Sequence, residues 1–85
     1  MNIALDYDNT FTRDPQFWKD FIVLAKESGH DVHIVTYRRR APNIEFPVIC
    51  CQYQAKATYC EHLGLHIDIW IDDSPYFINH AHPQI

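Results

Sequence analysis

The sequence is poor in several features that define simple classes of protein. Only two of its 85 residues are glycine, which argues against a collagen-like or low-complexity chain. No apolar run approaches the ~20 residues of a membrane span, and the N-terminus lacks the basic and then apolar segments of a secretory signal. Three cysteines, two of them adjacent, make a poor disulfide framework. We therefore expect a protein of the reducing cytoplasm without a membrane partner.

Positive charge is also scarce, with seven lysines and arginines against eleven acidic residues and a net charge of −4. This negative net charge argues weakly against nucleic-acid binding that depends on the overall charge of the protein. The sequence is, however, 47% hydrophobic and 14% aromatic, which is enough for a compact core. Because it shows no repeat, linker or shift in composition, we expect residues 1–85 to form a single domain.

Short apolar runs alternate with two segments of helical periodicity. The runs predict strands within residues 2–5, 32–36, 46–51 and 67–71. The first predicted helix follows Asp14-Pro15, an N-cap and a proline at the first helical position, and ends near Gly29. The second extends from about Gln54 to Leu63. The core is expected to include the aromatic residues of the first helix, Phe17, Trp18 and Phe21. This alternation predicts an α/β fold, a small Rossmann-like three-layer sandwich with a mainly parallel sheet of about four strands.

Polar side chains follow three of the predicted strands. Asp6 and Asp8 follow the first strand, Thr36 the second, and Asp72-Asp73 the fourth. Any one of these acids alone is typical of a turn, but the carboxyl ends of parallel strands share one edge, where ligands bind. Four carboxylates at one edge repel one another unless a cation lies between them, and oxygen ligands of this kind suit Mg²⁺. The pattern therefore predicts a magnesium site that attracts phosphate.

Other residues supply what a phosphate site needs besides the metal. Thr36 offers a hydroxyl donor, and Lys56, near the start of the second helix, offers a positive charge. One of Asp6 and Asp8 can attack phosphorus while the other handles a proton on the leaving group. A run of three arginines follows Thr36; such runs are most often solvated loops, but its position makes Arg38 the best candidate for binding a substrate phosphate.

These residues, taken in order, resemble the four motifs of the haloacid dehalogenase-like (HAD) phosphohydrolase superfamily. Residues 6–10, Asp-Tyr-Asp-Asn-Thr, resemble the first motif, Asp-x-Asp-x-Thr. Thr36 matches the second motif, Lys56 is the candidate for the third, and Asp72-Asp73 match the acidic fourth. Asn9 stands where many members have glycine, and asparagine tolerates the left-handed backbone that such a turn needs. The four motifs extend over almost the whole chain.

The resemblance implies a magnesium-dependent phosphomonoester hydrolase. Asp6 would be the nucleophile, forming an aspartyl-phosphate and contacting the metal. Asp8 would act as general acid and then general base, with its backbone carbonyl also on the metal. Asp72 would ligate Mg²⁺, and Asp73 would ligate it or orient its water shell. Thr36 and Lys56 would be catalytic as well, holding the phosphoryl group and stabilising its developing charge. The candidates for binding other parts of the substrate are Asn9 and Thr10, together with Arg38 on the ground of its position.

The chain has no room for the cap domain that most members carry. Few residues separate Thr10 from the first helix, and none of the family's caps would fit between Thr36 and Cys51. The resemblance therefore implies an open site, which in the family accompanies bulky or macromolecular substrates, or a partner subunit, such as a second copy, as the cover. Residues 71–75 are similar to nucleotidase-like members, which slightly favours a nucleotide or a polynucleotide end. The alternative is a non-catalytic phosphate- or metal-binding interaction module that keeps the same fold.

Overall fold

The computed structural model describes residues 1–83. Its strands and helices follow one another as the sequence predicts, with two short 3₁₀ helices in addition, at Phe11–Arg13 and Pro75–Ile78. The strands are β1 (Asn2–Asp6), β2 (Asp31–Thr36), β3 (Val48–Cys50) and β4 (Ile69–Ile71). The α-helices are α1 (Pro15–Glu27) and α2 (Lys56–His62).

The four strands form one sheet, in the order β3-β2-β1-β4, and every neighbouring pair is parallel. This confirms the predicted α/β class. The strand β3 lies at an edge of the sheet, and Pro47 directly precedes its first residue, in agreement with the confinement of proline to sheet edges or strand starts. From β1 the chain adds β2 and β3 on one side and then β4 on the other. The strand order therefore reverses between β1 and β4, which is the position where open α/β sheets bind ligands.

The sheet is covered on both faces, because successive side chains of β1 point in opposite directions. On one face Ala4 packs with Val35, Cys51 and Cys60, the last of these from α2. On the other face Leu5 packs with Phe11 and Ile34, and with Trp18 and Ile22 from α1. The molecule thus has three layers, helix, sheet and helix, with β1 at the centre.

The start of α1 and the ends of both helices agree with the sequence-based prediction. The carboxylate of Asp14 accepts a hydrogen bond from the backbone N–H of Phe17, which caps α1. Gly29 and Gly64 follow the two helices with φ of 86° and 74°, a left-handed conformation that favours glycine. Within residues 1–83, neither helix is long and apolar enough to cross a membrane.

The prediction that Phe17 belongs to the core is wrong. Its side chain is 57% exposed, and Leu24, two helical turns later, is 63% exposed. The two lie on the same face of α1, which points away from the sheet. Trp18 and Phe21 are half-buried. The face of α1 toward the sheet is formed by Trp18, Ile22 and Ala25.

Candidate active site

The carboxyl ends of β1, β2 and β4 meet at a pocket of about 250 Å³. Asp6 is the last residue of β1, Thr36 the last of β2, and Asp72 directly follows β4. Lys56 is the first residue of α2, as the sequence predicts. These four line the pocket together with four more of the predicted site residues, Asp8, Asn9, Arg38 and Asp73. Thr10 lines a neighbouring pocket.

Lys56 is the centre of the site. Its Nζ donates to Asp6 Oδ1 at 2.7 Å and to Asp72 Oδ2 at 2.6 Å, and its side chain is only 3% exposed. The Asp6 and Asp72 side chains are almost as deeply buried. A second hydrogen bond holds Asp72, because the backbone N–H of Ser74 donates to its Oδ1 at 2.9 Å. The ammonium therefore connects the end of β1 with the end of β4 across the point where the strand order reverses.

Three carboxylates, those of Asp6, Asp72 and Asp73, each have an oxygen within 4.8 Å of the others. Lys56 supplies one positive charge to this group, so two negative charges are left uncompensated when all three carboxyls are ionised. A divalent cation would match that charge, and carboxylate oxygens are the ligands that Mg²⁺ prefers. A divalent cation such as Mg²⁺ would fit these residues and would be held by Asp6, Asp72 and Asp73.

The crowding of charge perturbs the protonation of the buried groups. Burial raises the pKa of Asp6 to about 7; the neighbouring Lys56 opposes the shift, whereas Asp73 and Asp72 add to it. Burial also disfavours the Lys56 ammonium, but its hydrogen bonds with Asp6 and Asp72 outweigh this and raise the Lys56 pKa. Of these two buried partners, lysine keeps its charge near neutral pH, and the Asp6 carboxyl holds a proton more readily than an ordinary aspartate does.

The turn after β1 positions Asp6 through Thr10. Asn9 adopts φ of 63°, the left-handed conformation that the sequence predicts at this position. The Thr10 hydroxyl is buried and donates to Asp6 Oδ2 at 3.1 Å. The same hydroxyl oxygen lies 3.5 Å from Asp73 Oδ1. Thr10 thus contacts the predicted nucleophile directly, and its contact with substrate stays a prediction. Asn9 is exposed at the rim of the pocket.

Asp8 lies in the same turn, because β1 ends at Asp6 and does not continue through it. Its carboxylate accepts two hydrogen bonds from Arg38, from Nε at 3.0 Å and from Nη2 at 2.8 Å. The guanidinium also lies 5.2 Å from the centre of the Tyr7 ring, and Asp8 raises the pKa of Arg38. Asp8 is therefore separate from the three clustered carboxylates, and its predicted metal contact through the backbone carbonyl stays a prediction.

Thr36 is the last residue of β2, as the sequence predicts, and it is buried. It is 1% exposed, and its hydroxyl oxygen accepts the backbone N–H of Arg38 at 3.2 Å. That bond leaves the hydroxyl hydrogen of Thr36 available for a substrate oxygen.

Sequence reasoning missed four aromatic residues that line the same pocket. They are Tyr37, Tyr53, Phe77 and His82. Tyr37 could have been suspected, because it follows Thr36 at the end of β2. The other three lie in a loop and in the C-terminal segment, where an isolated aromatic side chain has no periodicity that would indicate which way it faces.

The sequence matches no protein-family model, and comparison with curated proteins and with solved structures likewise finds no match. Function must therefore be inferred from the geometry of the site.

Proposed function

We propose that this chain is a magnesium-dependent phosphomonoester hydrolase of the HAD type that works through an aspartyl-phosphate on Asp6. The observation that carries the proposal is the buried Lys56 ammonium between Asp6 and Asp72, with the Asp73 carboxylate beside them. A purely structural ion pair needs one carboxylate for each cation. Here the carboxylates exceed the cations, and they lie at the carboxyl ends of the strands, where the strand order reverses between β1 and β4. This excess of negative charge fits a site that binds a divalent cation and then a phosphate.

The bound magnesium would offset the negative charge of the phosphoryl group and of the carboxylates around it. In the first step an Asp6 oxygen forms a bond to phosphorus while the bond to the leaving oxygen breaks, and Asp8 gives its proton to that oxygen. In the second step Asp8 takes a proton from water, whose oxygen attacks phosphorus and releases Asp6 and inorganic phosphate. Lys56 and Thr36 hold the phosphoryl oxygens throughout.

Arg38 has a defined part in this reaction. Its guanidinium holds Asp8 by two hydrogen bonds, and the pair is about half-exposed at the mouth of the pocket. An incoming phosphate competes with Asp8 for the same guanidinium, since Arg binds both groups through paired N–H donors. Substrate binding then frees the Asp8 carboxyl to exchange a proton with the leaving group.

The site is open to large substrates. Between β1 and α1 the chain forms only a turn and one 3₁₀ helix, and residues 37–47 between β2 and β3 contain neither helix nor strand. We propose that no cap domain covers the pocket and that the substrate, or a second copy of the chain, excludes water from it.

Hydrolysis of para-nitrophenyl phosphate, with and without Mg²⁺, tests the reaction. We expect activity that needs the metal and is lost in Asp6→Asn, and a decrease in kcat of roughly 10²–10⁴-fold in Asp8→Asn, because the base that activates water for hydrolysis of the aspartyl-phosphate is lost. Asp31→Asn is the matched control, because Asp31 is exposed at the opposite end of β2 and should leave the rate unchanged.

Trapping of a phosphate analogue tests the nucleophile. Beryllofluoride with Mg²⁺ should form a complex at Asp6 in the wild type and none in Asp6→Asn. Equal hydrolysis by wild type and Asp6→Asn would refute the proposed mechanism. Binding of Mg²⁺ and phosphate without any turnover would favour the interaction module instead.

A further inference from the structure

One side of the pocket is aromatic. We call Tyr37, Tyr53, Phe77 and His82 the aromatic wall; all four line the same pocket as Asp6 and are half-buried. The Phe77 and His82 rings lie 4.8 Å apart between centres, and each is close to Tyr37, at 5.3 Å and 5.1 Å. Tyr53 is 6.0 Å from His82. These side chains come from three separate parts of the chain; Tyr37 also packs against the core cluster around Ala4 and Val35, whereas Tyr53, Phe77 and His82 pack against neither core cluster.

Backbone hydrogen bonds hold the aromatic wall in place. The Tyr53 N–H donates to the Tyr37 carbonyl, and the His82 N–H donates to the Tyr53 carbonyl, both at 2.9 Å. The Tyr37 hydroxyl contacts the carbonyls of Phe77 and His80, which ties the C-terminal segment to the end of β2. The wall is therefore a built feature of the pocket.

The backbone at Gln52 and Tyr53 adopts a strained conformation that places the Tyr53 side chain at the pocket. Gln52 and Tyr53 have φ of 54° and 65°, a conformation that is unfavourable for residues other than glycine and asparagine. Such conformations persist where the surroundings hold them, and they are concentrated at ligand sites. Here they turn the chain so that the Tyr53 side chain lies at the pocket rather than in solvent.

Lys56 connects the aromatic wall with the proposed phosphate site. Its Nζ is 2.7 Å from Asp6 Oδ1 and 5.1 Å from the centre of the Tyr37 ring. A phosphoryl group that Asp6 attacks and Lys56 holds would therefore lie near Tyr37, within reach of the rings for the rest of the substrate. The pocket is charged at one end and aromatic at the other.

We infer that the aromatic wall binds the base of a nucleotide whose phosphate is held at Asp6, Thr36 and Lys56. This inference rests on the proposed hydrolysis and names its substrate class. A nucleobase offers a flat π face that stacks on aromatic side chains, whereas a simple sugar phosphate would leave the wall against water. The Tyr37 hydroxyl and the His82 Nδ1 are already engaged with backbone carbonyls, so stacking on the rings, rather than hydrogen bonds from these two groups, is the contact that we expect with the base. We therefore expect little discrimination among the four bases.

The base can belong to a free nucleotide or to the phosphorylated end of a polynucleotide. Both present the same chemistry to the pocket, and the arginine run that begins at Arg38, on its rim, could contact further phosphates of a polynucleotide. The test therefore compares a nucleoside 5′-monophosphate, a short oligonucleotide with a terminal phosphate, and ribose 5-phosphate, which has the same sugar phosphate without a base.

The measured quantity is kcat/KM with Mg²⁺ at fixed ionic strength. We expect at least one of the two nucleotide substrates to exceed ribose 5-phosphate by about 5- to 150-fold, the effect of stacking one base on an aromatic residue. Which nucleotide substrate is preferred then identifies its source. Tyr53→Asn keeps a residue that tolerates the positive φ, and Phe77→Leu keeps an apolar side chain without a π face. In both variants the ratio of kcat/KM for the nucleotide to kcat/KM for ribose 5-phosphate should fall toward one.

Phe17→Ala is the matched control, because Phe17 is an aromatic residue of α1 that is 57% exposed and lies outside the lining of this pocket. It should keep the wild-type preference. Equal kcat/KM for ribose 5-phosphate and both nucleotide substrates, or a preference unchanged in both wall variants, would overturn the inference.

Calorimetric binding to Asp6→Asn separates this inference from the reaction itself. If no compound is hydrolysed by the wild type but the nucleotide still binds about tenfold or more tightly than ribose 5-phosphate, the base site is supported and the proposed reaction is refuted. Hydrolysis without a nucleotide preference refutes the base site alone. Absence of both hydrolysis and binding refutes both.

Discussion

At the scale of single residues, burial decides what each ion pair of the site contributes. The Lys56 contacts with Asp6 and Asp72 and the Arg38 contact with Asp8 have similar lengths, between 2.6 and 2.8 Å. The Arg38 and Asp8 side chains are 49% and 48% exposed, so water screens the pair and its contribution to stability is below ~1 kcal/mol. Lys56 is buried, so its removal would leave carboxylates without compensation in a site of low dielectric.

Lys56→Met should therefore separate folding from function. In metal-free protein at neutral pH we expect a loss of about 3–5 kcal/mol in the free energy of unfolding, the usual cost of breaking a buried pair. Urea denaturation should show Mg²⁺ restoring much of this stability, because the cation replaces the missing positive charge. Hydrolysis should remain at least ~10²-fold below the wild type even with Mg²⁺, because the group that holds the phosphoryl oxygens is gone.

Lys26→Met is the control, since Lys26 is exposed near the end of α1. It should change neither stability nor rate. Full activity in Lys56→Met would show that this lysine has a structural role only.

At the scale of elements, the site depends on segments that would not be stable alone. The helix α2 has seven residues, too few to persist by itself in water. It is held by Cys60 and Tyr59, which pack against the sheet face formed by Ala4 and Val35. Lys56 is the first residue of α2. The packing of the helix on the sheet, and the turn at Gly64 just after the helix, therefore determine that the Lys56 side chain lies beside Asp6.

Substitution at Gly64 tests how α2 is terminated. A Cβ there would meet no atom within 4 Å, so any cost comes from the φ of 74° rather than from a clash. We expect Gly64→Ala to lose about 1–2 kcal/mol of unfolding free energy in urea denaturation, because the left-handed conformation is unfavourable for alanine. Gly64→Asn should lose less, since asparagine adopts this conformation more readily. Equal losses in the two variants would argue against a backbone origin.

At the scale of the whole molecule, part of the net charge of −4 is concentrated at the candidate active site. The three clustered carboxylates and Lys56 account for two of the uncompensated charges, while Asp8 and Arg38 balance each other. Without metal, this local excess opposes folding whenever the carboxyls are ionised. The stability of the protein should therefore depend on pH and on Mg²⁺ together.

Asp6 sets the direction of the pH dependence. Its pKa is 3.8 in an ordinary environment and about 7 in the folded protein, so the folded state holds the proton more tightly. The stability linked to this group is fully present below about pH 4 and is lost as the pH rises to about 7. We expect metal-free wild type to be less stable at about pH 8 than at about pH 5, relative to Asp6→Asn, in thermal unfolding measured with a chelator.

Mg²⁺ should stabilise the wild type more at the higher pH, because it binds the ionised carboxylates and competes with the proton. Asp6→Asn serves as the reference, because it carries every other ionisable group of the wild type. A pH dependence that is the same in wild type and Asp6→Asn would contradict the assignment to Asp6.

Features specified by local sequence were predictable. The N-cap at Asp14 and the left-handed Gly29 and Gly64 follow from neighbouring residues. The shared edge of Asp6, Thr36 and Asp72 was predictable as well, because parallel strands must end on the same side. The exposure of Phe17 was not, since α1 has apolar residues around most of its circumference and only packing selects the buried face.

By itself, the sequence determined the alternation of strands and helices and the edge at which the acids collect, because both follow from periodicity and chain direction. The tertiary structure alone decided the partner of each charge: Lys56 lies between Asp6 and Asp72, whereas Arg38 binds Asp8. It also brought Tyr53, Phe77 and His82 to one pocket. These contacts join residues far apart in the chain, and their geometry depends on how the loop and the C-terminal segment fold across the ends of the strands.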